Sequence, residues 1–405
     1  IVMATNNDEI NLLACAFAKR VYSEQVGDRN ASGLIAIARI RNPNLMNLNR
    51  GAGPLEKWTR ADHIVCPNDE IVDQLAAGLL APSIDEILPL GDTSWIAVTT
   101  VDENSTLIGM TTGKVGEIFV GIPPIYAKTS AEGDDILTNG SEIIQEGDKL
   151  VFVSSSTEPF GQITLAIGRK DPEMSDRPQV AIFGATLFGN KLASHYLNLG
   201  SEVVVIEPDL DAANELVGSP VGMNKRLDVI HGDPQDEELL KELEIDEHDI
   251  AVAALNDDNL NIAISMRALD KGVPRTGLLL KDRSLVEAIQ RIGLTNPISR
   301  RLVTITSILK SIHMNLPGTY QVLPPLSSII SISATISDEN SLLDRSIADA
   351  ESKLGVRIVM VDREDEDGIN FVLNPNQVET ISSGDRLYLL LRKDDLKRVE
   401  KTLGS

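Results

Sequence analysis

The chain has 405 residues, of which 60 are acidic and 37 basic, giving a formal charge of −23. That excess argues against a nucleic-acid-binding surface, which needs clustered Lys and Arg, and against docking onto anionic lipid; solubility, an acidic proteome in a salty cell, or some contribution to cation binding are the readings left. Apolar residues make up 42% but aromatics only 3%, so the core is built from Ile, Leu, Val and Ala, as in parallel sheets covered by helices, and cores of at most roughly 250 residues imply two to four domains.

Cys15 and Cys66 are the only cysteines and show no CxxC spacing; they form neither a disulfide framework nor a zinc site, which fits a reducing cytosol. No apolar stretch approaches the roughly 20 residues needed to span a bilayer.

Taken in order, the chain opens on Ile1-Val2-Met3-Ala4, which reads as the end of a buried strand and not as a signal peptide. Thr5 and Asn6 follow at that strand's carboxyl end, then a helix-like stretch and a strand, LIAIARI, from Leu34 to Ile40. Arg39 on this strand is a natural partner for a phosphate; a surface salt bridge is the alternative. Residues 1–82 are read as the C-terminal part of a first α/β domain. Residues 83–168 alternate short strands and turns, including a Gly147-Asp148 turn before Lys149–Val153, and form a small α+β domain. Residues 169–178 are polar and proline-bounded, the composition of a linker.

A second α/β domain is read over 179–316. Its strand Gln179–Phe183 runs into Gly184-Ala185-Thr186-Leu187-Phe188-Gly189, then an amphipathic helix, then a strand ending in Glu207. This is the strand, turn, helix, strand, acid order of a dinucleotide-binding unit. Gly184 permits the tight turn, the helix N–H groups face a phosphate, and Gly189 lets the helix approach the sheet. Glu207 suits a ribose hydroxyl pair and favours NAD or adenosine nucleotides over NADP. The middle glycine of the fingerprint is Thr186, whose bulk leaves two readings open: nucleotide binding, or a vestigial structural turn. Further along, Gly232-Asp233 ends a strand where an adenine ring would lie, and Asp233 is an adenine contact, the cap of a helix Gln235–Leu243, or both. Leu255 and Asn256 follow the fourth strand at its ligand-binding edge. Residues 320–405 repeat the small domain.

The repetition is legible in three ordered matches: Ala4–Asn11 with Ala254–Asn261, the strands with Arg39 and Leu279 in equivalent places, and Ile144–Leu150 with Ile381–Leu387. They indicate a tandem duplication whose first copy lacks about 70 residues by comparison with the second. The fold class is therefore α/β, with tandem Rossmann-like parallel-sheet domains each followed by a small α+β domain.

The segments ATNNDEINLLACAFAKR (4–20), IARIRNPNL (37–45), FGATLFG (183–189), IHGDPQDEELL (230–240), IQEGDKL and ISSGDRL together resemble the TrkA family, the peripheral subunit of the Trk potassium uptake system with tandem RCK domains. The resemblance covers essentially the whole chain. It implies a nucleotide-sensing gate controller that takes NAD(H), with ATP and ADP as further candidates. The implied contacts are Gly184 to Phe188, Glu207, Leu255 and Asn256 in the second site, and Thr5, Asn6 and Arg39 in the first. It also implies a membrane-embedded, TrkH/TrkG-like partner, a homotetramer or a homodimer of tandem repeats, and a cytoplasmic location on the inner face of the membrane without insertion. Two other readings stand beside it: the cytosolic gating part of a potassium channel whose pore lies upstream, and an NAD-dependent dehydrogenase. Against the enzyme, His63, His195, His231, His248 and His313 are scattered through the sequence, and none falls in a proton-transfer constellation.

Overall fold

The structure, a computed structural model, describes residues 1–26, 33–45, 59–90, 94–129, 133–291, 296–312, 320–323, 326–364 and 370–403. The first sheet holds β1 (Val2–Met3), β2 (Ile37–Arg39) and β3 (His63–Val65), paired in parallel in that order. Helix α1 (Asp8–Val26) joins β1 to β2, and α2 (Asn68–Leu80) follows β3. An antiparallel sheet comes next: β4 (Glu86–Leu90), β5 (Ser94–Thr100), β6 (Ile125–Thr129), β7 (Asp135–Leu137) and β8 (Lys149–Ser154), ordered β4-β5-β8-β6-β7. It carries α3 (Thr112–Ile118) and α4 (Phe160–Ala166).

The second parallel sheet is larger. Strands β9 (Val180–Phe183), β10 (Val203–Glu207), β11 (Leu227–His231), β12 (Ile250–Ala253), β13 (Arg275–Leu280) and β14 (Pro297–Ser299) run in the order β11-β10-β9-β12-β13-β14. Helices α5 (Leu187–Asn198), α6 (Leu210–Val217), α7 (Glu237–Glu242), α8 (Asp258–Asp270) and α9 (Arg283–Arg291) lie between these strands, and α10 (Arg300–Ile312) follows β14. The order reverses between β9 and β12, the switch point at which such sheets bind ligands beyond their carboxyl edge. The first sheet matches β12-β13-β14 in order and sense. Strands β15 (Tyr320–Val322), β16 (Ile329–Thr335), β17 (Arg357–Glu364), β18 (Asn370–Leu373) and β19 (Arg386–Arg392), with α11 (Ile347–Leu354) and α12 (Leu396–Leu403), build a second antiparallel sheet in the same order as the first, β15-β16-β19-β17-β18. The aliphatic run of β9, buried at every residue, is what a strand covered on both faces requires.

The two copies are packed through exchanged helices. Read linearly, Asn68–Leu80 belongs to the first unit, yet Ile71, Val72, Leu75 and Leu79 of α2 lie in one core with Val180, Ile182 and Leu192 of the second. Each such buried side chain contributes about 1.5–3 kcal/mol relative to exposure. Gly277 on β13 makes the approach possible, since a Cβ there would stand 2.9 Å from Leu75 Cδ1. Asn296 Nδ2 closes the contact by donating to Leu75 O at 2.8 Å. In return α10 crosses to pack on β2 and β3. The antiparallel sheets also meet face to face, with Leu88, Val98 and Val151 of one sharing a core with Ile329, Met360 and Tyr388 of the other.

Both Gly-Asp motifs have the same physical role. Gly147 and Gly384 adopt φ +79° and +85°, a left-handed turn that favours glycine. The following aspartates are buried and ion-paired across the sheet: Asp148 with Lys128 at 2.6 Å, Asp385 with Arg363 at 2.7 Å. Each also closes its turn by accepting a backbone N–H, from Gln145 and Ser382 respectively, at 2.8 Å. The linker is strapped down along its first half. Arg169 Nη1 donates to Ser83 O and Asp85 Oδ1, both at 2.7 Å, and Asp171 Oδ1 accepts from Ser83 N at 2.8 Å. Arg275, 2% exposed, donates to Pro172 O at 2.5 Å and Glu173 O at 3.2 Å.

Candidate functional site

At the end of β9 the chain turns at Gly184, φ +115°, where a Cβ would sit 3.0 Å from Leu255 N and 3.1 Å from Ala254 O. Gly184 N donates to Ile206 O at 2.8 Å, fixing the turn between β9 and β10. A Cβ on Gly189 would overlap the Gly184 carbonyl oxygen, so the first turn of α5 rests directly on the loop.

Thr186 occupies the N-cap of α5 in an extended conformation that any L-residue adopts. Its Oγ1 accepts from Gly189 N at 3.3 Å and donates to Ala254 O at 2.7 Å. The hydroxyl thus ties the loop to β12, and the third residue of the fingerprint works as a helix cap. Leu187 is exposed, whereas Ala185 and Phe188 are each 8% exposed.

Glu207, 5% exposed, ends β10 with both carboxylate oxygens engaged by the backbone: Oε2 accepts from Ala185 N at 2.5 Å and Oε1 from Asp209 N at 2.9 Å. The acid that the sequence places beside a ribose therefore holds one of the loop's own N–H groups. Leu255 is buried at the edge of β12 and Asn256 is exposed beside it, its carbonyl accepting from Lys281 Nζ.

Asp233 is exposed, and its Oδ1 accepts from Gln235 N at 2.8 Å. The helix cap is instead Asp236, which accepts from Glu238 N and Leu239 N. Both residue types suit a cap; the turn from Asp233 to Asp236 starts the helix at Glu237, two residues later than expected. His231 Nε2 lies 3.2 Å from Pro208 O, at the carboxyl end of β11. His195 sits in the last turn of α5, away from that edge, where burial lowers its pKa and Asp73 of α2 opposes the shift. His313 lies outside the described residues.

In the first copy Thr5, Asn6 and Arg39 share the carboxyl edge of the small parallel sheet. Two pairs of organising residues carry no assigned role in the sequence reading. Asn11 and Asn261, both 0% exposed, are equivalent clamps. Asn11 accepts from Thr5 N at 2.8 Å and donates to Thr5 O and Arg39 O; Asn261 accepts from Leu255 N at 2.9 Å and donates to Leu255 O and Leu279 O. Asp8 and Asp258 likewise accept the backbone N–H groups that follow the next strand, at Arg41 and Asn42, and at Lys281 and Asp282. The signal was present in the repeated Ala4–Asn11 segment, whose last Asn recurs at Asn261.

Arg39 is half-buried, and its Nε has no hydrogen-bond partner. Burial lowers its pKa, and Arg41 lowers it further. Arg300, at the start of α10, lies with its guanidinium carbon 4.5 Å from the centroid of the Phe188 ring. Phe188 therefore faces the crossing helices and not the cleft of its own loop. Among the described residues, no group of three His, Cys, Asp or Glu is placed to hold a metal, and no helix is long and apolar enough to cross a membrane.

Residues 180–300 match the TrkA-N domain and residues 332–404 the TrkA-C domain. The Trk system potassium uptake protein TrkA of Azorhizobium caulinodans is 24% identical over 413 residues, covering 99% of this chain and 83% of its own length. The protein of the same name from Halomonas elongata is 23% identical over 408 residues, with 99% and 83% covered. A solved structure of the GsuK channel is similar in fold, with TM-score 0.50 and 18% identity over 99% of this chain and 66% of that one. A nucleotide-type parallel sheet followed by an antiparallel one defines the class, a protein of TrkA-N and TrkA-C domains. The chain carries a TrkA-N and a TrkA-C domain and is similar to TrkA proteins over 99% of its length.

Proposed function

We propose that this chain is a nucleotide-sensing regulatory subunit of a potassium uptake system, with units at 1–82, 83–168, 179–316 and 320–405 around a linker at 169–178. Its ligand is NAD(H) or an adenine nucleotide such as ATP or ADP. The observation that supports the reading is the Gly184 turn between β9 and β10, with the carboxylate of Glu207 at the strand end, in a sheet whose neighbouring helix comes from the other copy. A bound nucleotide would present its phosphates to the start of α5 and its ribose to Glu207. Glu207 must then exchange its bond to Ala185 N for the ribose hydroxyls, so binding and rearrangement of the loop are one event.

The first copy, with Thr5, Asn6 and Arg39 at its edge, supplies the stronger anion contacts, because Leu279 stands where Arg39 does. The two sites are unequal. A ligand moves such an assembly only by the difference in its affinity for the two arrangements. The action is regulatory and not catalytic, exerted on a membrane-embedded transporter of the TrkH/TrkG kind from the cytoplasmic side, by an oligomer of these tandem chains. Calorimetry of the full chain with NADH, NAD, ATP and ADP tests this. Binding of at least one, with affinities that differ between the members of a pair, is expected; binding of none refutes nucleotide sensing.

A further inference from the structure

The two antiparallel domains share a strand order and a pair of covering helices, yet they present different faces to solvent. Thr111 and Ser346 are the N-caps of α3 and α11, so Ile118 and Val120 correspond in place to Lys353 and Gly355. Counted from the first residues of α4 and α12, Gly161, Gln162 and Leu165 correspond to Lys397, Arg398 and Lys401. The second domain thus sets four exposed cations on this face. In the first domain the same face holds Ile118, Val120 and Leu165, which are 54%, 91% and 58% exposed.

These apolar side chains belong to one surface. Val115 of α3 and Phe160 and Ile163 of α4 sit in the same core, which places both helices on one side of the sheet. A Cβ on Gly121 would stand 2.4 Å from Gln162 Oε1, so the chain leaving α3 runs against α4 beside Val120. Single apolar residues on a surface are ordinary, whereas a cluster of them, with charge at the same places of a twin domain, marks a contact surface. Charge decides what meets it. The chain carries −23 overall, so two copies repel wherever their acids face one another. On this face α3 holds one cation and one anion, Lys114 and Glu117, and α4 holds neither. A two-fold axis between Val115 and Gly116, perpendicular to α3, runs the helix antiparallel to its copy and sets each Lys114 against the other's Glu117.

We propose that the α3–α4 face of the first small domain docks a second copy of this chain, through two-fold contact of Ile118, Val120 and Leu165 flanked by Lys114–Glu117 pairs. The second small domain would gather the cations of both copies about such an axis, and this repulsion excludes it from the contact. Each chain therefore offers one such face and not two, and the contact closes at a pair of chains. The inference rests on the regulatory reading above only in that both require an oligomer. It does not depend on which nucleotide binds, or whether one does.

Hydrogen exchange of the full chain over a range of concentrations, with sedimentation velocity on the same samples, tests this. Amides at 113–122 should exchange more slowly in wild type than in Leu165→Lys, increasingly so as concentration rises, with no such difference at α11. Leu165→Lys, which places the second domain's residue in the first, should raise the dissociation constant of the pair about tenfold or more. Lys114→Glu should raise it about 3- to 10-fold, and adding Glu117→Lys should restore the wild-type value, a rescue that a self-paired two-fold contact produces. Exchange at 113–122 that is equal in wild type and Leu165→Lys at every concentration overturns the proposal and leaves the face to a partner of another kind. A Lys114→Glu/Glu117→Lys chain that pairs no better than Lys114→Glu also overturns it. An oligomer that persists in sedimentation without protection of this face refutes the proposal and spares the regulatory reading. The substituted positions are exposed; circular dichroism checks the fold, and Ile118→Lys takes the place of Leu165→Lys should that chain not fold.

Discussion

Replacing Lys128 or Arg363 by Met deletes the cation facing each Gly-Asp aspartate, in two settings that differ mainly in access to water. The Lys128 side chain is 8% exposed against 33% for Arg363, while both aspartate side chains are 0% exposed. Without Lys128, Asp148 keeps its hydrogen bond from Gln145 N but faces a closed interior, and Ile143 O also loses its donor. Removing one partner of a buried pair costs about 3–5 kcal/mol. Without Arg363, water can enter along the path its side chain occupied and solvate Asp385, so about 1–3 kcal/mol is expected even though the lost contact is bidentate. Native-state hydrogen exchange reads the two openings separately, at the amides of Val151 on β8 and Leu389 on β19, within one sample of the full chain. Lys128→Met should lower local protection on β8 by roughly 2 kcal/mol more than Arg363→Met lowers it on β19, taking the middles of those ranges. An Arg363→Met penalty equal to or larger than that of Lys128→Met would refute the reasoning that solvent access sets the cost.

Other outcomes follow from the same geometry. Glu207→Ala should weaken the weaker of two nucleotide-binding events by about tenfold or more and leave the tighter one unchanged; calorimetry in which the tighter event vanishes would contradict the inequality of the sites. Asn261→Ala strands Leu255 N and two carbonyls in a fully buried setting and should cost at least about 2 kcal/mol in thermal unfolding, whereas Asn11→Ala should cost less because its partner Thr5 is exposed to water. Burial, with Asp85 alongside and Lys149 opposing, pushes Glu86 up to about 8. This acid is protonated in the folded chain and ionised in the unfolded one above its ordinary value of 4.5, so stability should fall as pH rises from about 4.5 to about 8. Melting temperatures of Glu86→Gln across that window should be flatter than wild type; identical profiles would remove Glu86 as the cause.

Much of the architecture could be read in advance because its signals are local. The run from Gln179 through Gly184 and Gly189 to Glu207 carries strand, turn, helix and acid within one contiguous segment, and the recurrence of Ala4–Asn11 at Ala254–Asn261 carries the duplication. The Gly-Asp motifs announce a turn because the left-handed backbone favours glycine there. What escaped depends on contacts between distant segments. Nothing in the apolar face of Ile71, Val72, Leu75 and Leu79 says which sheet it will cover, and only Gly277, more than 190 residues away, makes room for it. Thr186 reads as an obstacle by its bulk, but its rotamer turns the hydroxyl back onto Ala254 O. Glu207 reads as a ligand contact by position, while its bond to Ala185 N depends on how β10 meets the loop.

The exchange of α2 and α10 makes the chain a dimer written as a single strand of sequence. In a dimer of identical subunits any substitution appears twice, on both sides of the axis, and one that helps a single side is burdened by its mirror image. Joining the halves removes that constraint. Arg39 can face Leu279 across the pseudo-axis, and Arg275 can grip the linker while its counterpart position in the first copy holds Ile35. The molecule keeps the interlocked contacts of a symmetric pair yet is free to specialise one side for binding and leave the other as its scaffold.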